Sequence, residues 1–261
     1  MPADSKRRNS ATPPIVPNLG GSHIDNITIV HTPPAKPQPG LSLQKMLSSC
    51  TTPPAGCYYI GLADDGLPVL GSHRIPVLLA TSDFGNGLLS LSQTAVATAT
   101  VFNRSSLNLI VVTEAPGIWH NRARTVHPGQ VPDLRQAIQR WQPVKNQWLL
   151  IIMDRFSLRW GLSLRAIQEL ASMPFVNLLI TAQPVDALNL LNRLPKDFEK
   201  QLPNNRGVAL ATFSKLILGH INNPQIKNAL AHLTPLTTNL EYGQFALRHQ
   251  SRWLIFTTAT V

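Results

Sequence analysis

The strongest constraint on this chain is a set of apolar runs of strand length that show no alternation of polar and apolar residues. Val77–Ala80, Leu107–Thr113, Trp148–Met153 and Val176–Thr181 are such runs, and Gly207–Phe213 reads as a further strand. A strand that is apolar on both faces has to be covered on both faces. Stretches of helical length separate these runs: Leu88–Asn103, Asp133–Trp141, Ser163–Met173, Asp186–Leu194 and Asn223–Leu233. Asp133 and Ser163 are the expected N-caps of their helices. The alternation predicts an α/β fold, a mostly parallel sheet with helices on both faces, in which ligands sit at the carboxyl ends of the strands. Both ends of the pattern read as β-hairpins. Cys57–Leu62 turns through Asp64-Asp65-Gly66 into Pro68–Leu70, and Gly243–Arg248 returns as Trp253–Thr258.

The first 55 residues differ. They hold 10 of the 22 prolines and the basic run Lys6-Arg7-Arg8. Thr32–Gly40 cannot sustain a helix or a central strand, because proline fixes φ and removes a donor. The expected division is a disordered, Pro-rich basic tail over 1–55, with a short helix at Ser42–Ser49 as its candidate element, and a folded domain over 56–261. Hydrophobic content of 43% against 14% charged residues is globular. Lys plus Arg exceed Asp plus Glu by 23 to 13, which suits an anionic partner or simply keeps a positive surface soluble. Cys50 and Cys57 have no histidine at metal spacing, so no zinc site is expected. With no secretory leader and no apolar run of ~18 residues, reduced thiols, a cytoplasmic location and no membrane contact are expected. Ser90 and Ser92 lack the glycine-bounded elbow of a hydrolase nucleophile.

Strand, glycine-bearing loop, helix, and a later strand ending on Asp is the skeleton of a nucleotide-binding P-loop domain. Its chemistry needs backbone N–H groups turned to the phosphates, a Lys on the β and γ phosphates, and a Ser or Thr on Mg²⁺. The loop here reads Thr81-Ser82-Asp83-Phe84-Gly85-Asn86-Gly87-Leu88-Leu89. With Gly87 as the last glycine, Leu88 stands where the Lys belongs and Leu89 where the hydroxyl belongs. Asp83 puts a negative charge into a loop built for anions. Each missing charge-assisted contact is worth about 1.5–3 kcal/mol, so productive ATP binding by this chain alone is not expected. The second element is Leu149–Met153 running into Asp154-Arg155. Asp154 has the residue type and place to hold a metal water shell, or it is an ordinary strand-end turn residue. Arg155 follows where a general base is needed, and a guanidinium cannot serve as one. Arg155 is free to pair with Asp154 instead.

At these residues the chain resembles the FtsK/SpoIIIE–HerA family of DNA-translocating ATPases. Tyr59–Val69 is similar to the family's hairpin ahead of the P-loop, and Pro76–Leu89 to its first strand and loop. Leu149–Phe156 resembles its hydrophobic strand and acidic pair, with Arg155 in place of the Glu. Leu178–Pro184 resembles the strand ending in the family's Gln-Arg-Pro sensor, of which Gln183 and Pro184 remain without the Arg. The likeness runs in order over 56–261 and implies a RecA-like P-loop NTPase fold. Family members form hexameric rings that pump double-stranded DNA with ATP bound between subunits, and secretion-system relatives carry degenerate modules. The resemblance therefore implies a pseudo-ATPase whose degenerate nucleotide site comprises Ser82, Gly85, Gly87, Leu88, Leu89, Asp154 and Gln183. No catalytic residue, cofactor or metal is expected. Partners would be double-stranded DNA, an active FtsK/HerA-like ATPase, or further copies of the chain. Residues 56–261 hold 18 basic and 11 acidic side chains. Arg122 and Arg124, with His120 and His127, and separately Arg159 and Arg165, with Arg155 and Trp160, are candidate phosphate contacts or plain solvated surface. Two alternatives stand beside this: a weakly active ATP-binding subunit with Mg²⁺ and a borrowed Lys such as Lys145, and a protein-binding scaffold.

Overall fold

The computed structural model describes residues 40–83, 85, 87–141, 143, 146–162, 164–191, 214–231, 240–249 and 252–260. The apolar runs become the strands β1 (Cys57–Ala63), β2 (Pro68–Ser72), β3 (Val77–Thr81), β4 (Leu107–Val112), β5 (Arg124–Val126), β6 (Trp148–Phe156), β7 (Val176–Ala182), β8 (Ser214–Leu218), β9 (Gln244–His249) and β10 (Arg252–Thr257). They form one sheet in the order β2-β1-β10-β9-β8-β3-β7-β6-β4-β5. The segment from β8 to β5 is parallel, and β9, β10, β1 and β2 extend it antiparallel as the two expected hairpins. The mixed α/β fold with a mostly parallel centre is therefore the one the apolar runs predict.

Side chains alternate across each strand and build two cores. Leu78 and Ala80 of β3, Leu150 and Ile152 of β6, and Leu179 of β7 face α2 (Leu88–Phe102), together with Tyr58, Ile60, Phe245 and Phe256 of the hairpins. Val77, Leu79, Ile151, Met153, Leu178 and Ile180 face the other way. That second core is completed by α3 (Val131–Arg140), α4 (Leu164–Ala171), α5 (Pro184–Leu190) and α6 (Pro224–Ala231). The buried hydroxyls of α2 take over backbone groups that the sheet leaves unpaired. Thr98 Oγ1 accepts from Tyr59 N–H at 3.1 Å, and Thr94 Oγ1 accepts from Ala259 N–H at 3.1 Å.

Several expectations are corrected. The folded body begins before residue 56. The helix α1 (Leu43–Ser49) buries Met46 completely against Tyr59 and Ala259, and Leu43 N–H donates to the Thr260 carbonyl at 3.2 Å. Burying a side chain of that size stabilises by about 1.5–3 kcal/mol, enough to hold this part of the Pro-rich segment on the domain. The rest of the predicted tail, residues 1–39, lies outside the described residues. Asp133 is not the N-cap of α3. A 3₁₀ turn at Pro128–Gln130 starts the helix earlier, Gln130 takes the cap position, and Asp133 falls in the first turn, where its charge still suits the helix dipole. The helix expected from Asp186 begins at Pro184, whose fixed φ suits a first helical position. The strand expected at Gly207–Phe213 lies outside the described residues, and β8 follows that segment. Ser163, the expected cap of α4, also lies outside them. β7 lies between β3 and β6, pairing with each in parallel. Among the described residues, no helix is long and apolar enough to cross a membrane.

Candidate nucleotide site

The loop between β3 and α2 lies at the carboxyl edge of the parallel strands. Its entrance is stitched to the end of β8. Gly219 N–H donates to Thr81 O at 2.8 Å, Asp83 N–H to His220 O at 2.8 Å, and Ser82 Oγ to the same carbonyl at 3.0 Å. The Asp83 carboxylate is already occupied, since Asn222 N–H donates to its Oδ2 at 2.6 Å. His220 is fixed in turn by ring contacts to Leu240 O at 2.8 Å and Asn222 Oδ1 at 2.7 Å.

The loop exit is closed as well. Gly87 holds a left-handed φ of 99° as the N-cap of α2, and a Cβ there would stand 2.8 Å from Gly243 Cα. Glycine is required on both counts. The next residue, Leu88, is 7% exposed and packs into the apolar cluster with Leu91 and Phe245. Leu89 packs on the edge of the same cluster. Gly85 also adopts a positive φ of 83°, while Phe84 and Asn86 lie outside the described residues.

Asp154 continues the row of Leu150 and Ile152 on the face toward α2, which places its carboxyl near Ser92 and Trp119. Its side chain is 0% exposed. Arg155 N–H donates to Thr181 Oγ1 at 2.8 Å, and Arg155 Nε donates to Asp154 Oδ2 at 3.2 Å. Ser92 Oγ lies 3.5 Å from Thr181 Oγ1. Burial raises the Asp154 pKa, opposed in part by the charge and hydrogen bond of Arg155 and by Ser92 and Trp119. The hydroxyl and the indole lie near enough to favour the anion, yet Asp154 Oδ1 and the buried Trp119 Nε1 complete no well-formed hydrogen bond.

Gln183 stands exposed at the N-cap of α5, just past the tip of β7, with no side-chain capping bond. Arg122 and Arg124 are exposed at the β5 edge of the sheet, and neither forms an ion pair with another described residue. The second arginine group does not act together. Arg155 is committed to Asp154, Arg165 pairs with Glu169 at 3.0 Å, and Glu169 also bridges to Arg135 on α3. Arg159 is exposed but lies within the field of Asp186. Lys145 lies outside the described residues. Sequence reasoning missed the closure by Gly219–Asn222 and Gly243. It also missed Ser92 and Trp119 near Asp154, although the alternation of Leu150, Ile152 and Asp154 already indicated which face the carboxyl takes.

No protein-family model and no curated protein matches the sequence. Solved structures do match. The cytoplasmic domain of the Thermomonospora curvata Type VII secretion ATPase EccC superposes with a TM-score of 0.54 at 15% identity, over 86% of this chain and 32% of that one. EssC (ATPases 2 and 3) from Geobacillus thermodenitrificans gives 0.53 at 12%, over 87% and 46%. The pCW3 conjugation coupling protein TcpA gives 0.52 at 10%, over 78% and 66%. The fold is that of a RecA-like P-loop ATPase. At such identities the likeness shows the fold alone, and this chain spans between 32% and 66% of those three chains.

A RecA-like ATPase fold implies Mg²⁺ and a nucleoside triphosphate. The residues present do not fit them. At the position the sequence reading gives to the phosphate clamp stands Leu88, buried in the core; at the one it gives to the metal hydroxyl stands Leu89; and Arg155 Nε donates to the strand-end carboxylate of Asp154.

Proposed function

We propose that this chain is a catalytically impaired, FtsK/HerA-like module that keeps the motor-ATPase frame and serves a DNA-translocating assembly without hydrolysing ATP. The observation that carries this reading is Leu88, buried in the core where a phosphate-binding Lys would have to reach outward. Its partners in such an assembly are duplex DNA, an active ATPase of the same kind, or further copies of itself. DNA contact falls to Arg122 and Arg124 at the β5 edge, whose charges no described carboxylate neutralises, with Arg159 adding a lesser share. Arg165 contributes less still, because Glu169 already holds it.

Two measurements test this. Isothermal titration with Mg-ATP is expected to give no heat, and a phosphate-release assay no turnover; either signal refutes the impairment. Duplex binding followed against salt is expected to weaken steeply, with a log–log slope that falls by about 2 when Arg122 and Arg124 are both replaced by Ala. Affinity indifferent to salt removes DNA from the reading. A protein-binding role has support in one further match: the EccC ATPases 2 and 3 of T. curvata, solved with a signal sequence peptide, superpose with a TM-score of 0.57 at 15% identity. A pull-down partner lost on deleting residues 1–39, with no duplex binding, is the outcome that reading expects.

A further inference from the structure

The tip of β6 departs from regular strand geometry at one residue. The β6–β7 register shifts between Met153 and Phe156, and Arg155 takes a φ of 55°. That left-handed conformation is unfavourable for a residue with a Cβ. In a regular strand, Arg155 would point to the face opposite Asp154. The distortion brings it back onto its own neighbour, and Thr181 Oγ1 holds its N–H in that position. The backbone thus takes a strained form whose visible result is a guanidinium laid on a sealed carboxylate.

A carboxylate cut off from solvent needs a counter-charge. We propose that the Arg155 guanidinium is a built-in cation that takes the place of a divalent metal beside Asp154, so that the tip of β6 holds its shape with no metal bound. The inference deepens the impaired-ATPase reading and rests on it. The Arg155 side chain is 34% exposed while that of Asp154 is sealed, so an approaching cation meets positive charge first. Behind it, Asp154 Oδ1 completes no hydrogen bond, the Ser92 hydroxyl lies near it, and the Thr181 hydroxyl lies 3.5 Å from that of Ser92. These are hard oxygen donors of the kind Mg²⁺ and Mn²⁺ take. Removing the guanidinium should therefore open a latent cation site.

The test uses the full chain, Mn²⁺ without nucleotide, and electron paramagnetic resonance to count free ion. Arg155→Gly removes the charge while the left-handed backbone stays allowed. The wild type is expected to bind no Mn²⁺ through Asp154 and to unfold at the same temperature in EDTA and in Mn²⁺. Arg155→Gly is expected to bind Mn²⁺, to unfold about 5 °C lower in EDTA, and to recover part of that loss in Mn²⁺. Asp154→Asn combined with Arg155→Gly should lose the binding. Should the Gly variant not fold, Arg155→Asn, which also tolerates the left-handed region, is titrated in its place. Mn²⁺ bound by the wild type and lost in Asp154→Asn overturns the inference, as does a folded Arg155 variant that binds none. Heat on adding Mg-ATP to the wild type refutes the impaired-ATPase reading instead, so the two failures are told apart.

Discussion

If Leu88 fills the loop end as a core residue, replacing it with Ala removes packing; if it merely stands at the mouth of an open cradle, the same change removes almost nothing. The side chain is 7% exposed and packs in the cluster with Leu91 and Phe245, so a large-to-small change leaves a cavity between α2 and β9. Such substitutions cost about 2–5 kcal/mol, against within about 0.5 kcal/mol for a surface position. Taking a cost of about 3 kcal/mol, and about 2–4 °C per kcal/mol for a domain of this size, Leu88→Ala should lower the melting temperature by about 10 °C. Leu88→Lys should fare no better, since the ammonium enters a cluster whose described members are apolar. Thermal unfolding by circular dichroism, with and without Mg-ATP, reads both variants. A Leu88→Ala protein as stable as the wild type, or a Leu88→Lys protein that Mg-ATP stabilises, would refute the reasoning.

Gly87→Ala should destabilise by clearly more than Gly243→Ala, although both sites have positive φ. A Cβ at Gly87 meets backbone at 2.8 Å, whereas one at Gly243 meets only Thr258 Oγ1 at 3.6 Å, so chemical denaturation should rank them in that order. Met46→Ala should cost about 2–5 kcal/mol and release α1, seen as new proteolytic cleavage between residues 41 and 55. Asp154 has its pKa raised by burial, so the native state holds this proton more tightly than the unfolded chain does. Its share of stability is therefore full below the ordinary carboxylate value of about 4 and is lost as pH rises through the folded pKa. Asp154→Asn should flatten that fall in a pH series of denaturant midpoints. An unchanged slope would show that Asp154 does not titrate that way.

The parallel core was readable because its strands are buried on both faces and so appear as unbroken apolar runs, Trp148–Met153 above all. Their order was not readable, since β7 enters between β3 and β6 through crossovers that leave no mark on either strand. β5 escaped notice because three residues carry no period, and the start of α3 was displaced by a 3₁₀ turn rather than by any residue within the helix. At the site, Leu88, Leu89 and Arg155 stood out as wrong residue types at known motif positions. The groups that close the loop did not stand out. Ser82 meets His220, 138 residues away, through a backbone carbonyl, a contact available to any residue type there. Of the candidate arginines, Arg155 takes the pairing with Asp154 that the sequence left open, and Arg165 is held by Glu169 four residues on, a helical-spacing partner its sequence already offered.

The pairing of Leu41 and Leu43 with Thr260 has a consequence for how this module connects to anything else. The described segments around residues 41–43 and 260 lie side by side, joined by backbone hydrogen bonds. Anything joined to the body near residue 41 and anything joined near residue 260 therefore shares one corner of the sheet, and the two backbone hydrogen bonds between Leu41, Leu43 and Thr260 make each segment depend on the other for its place.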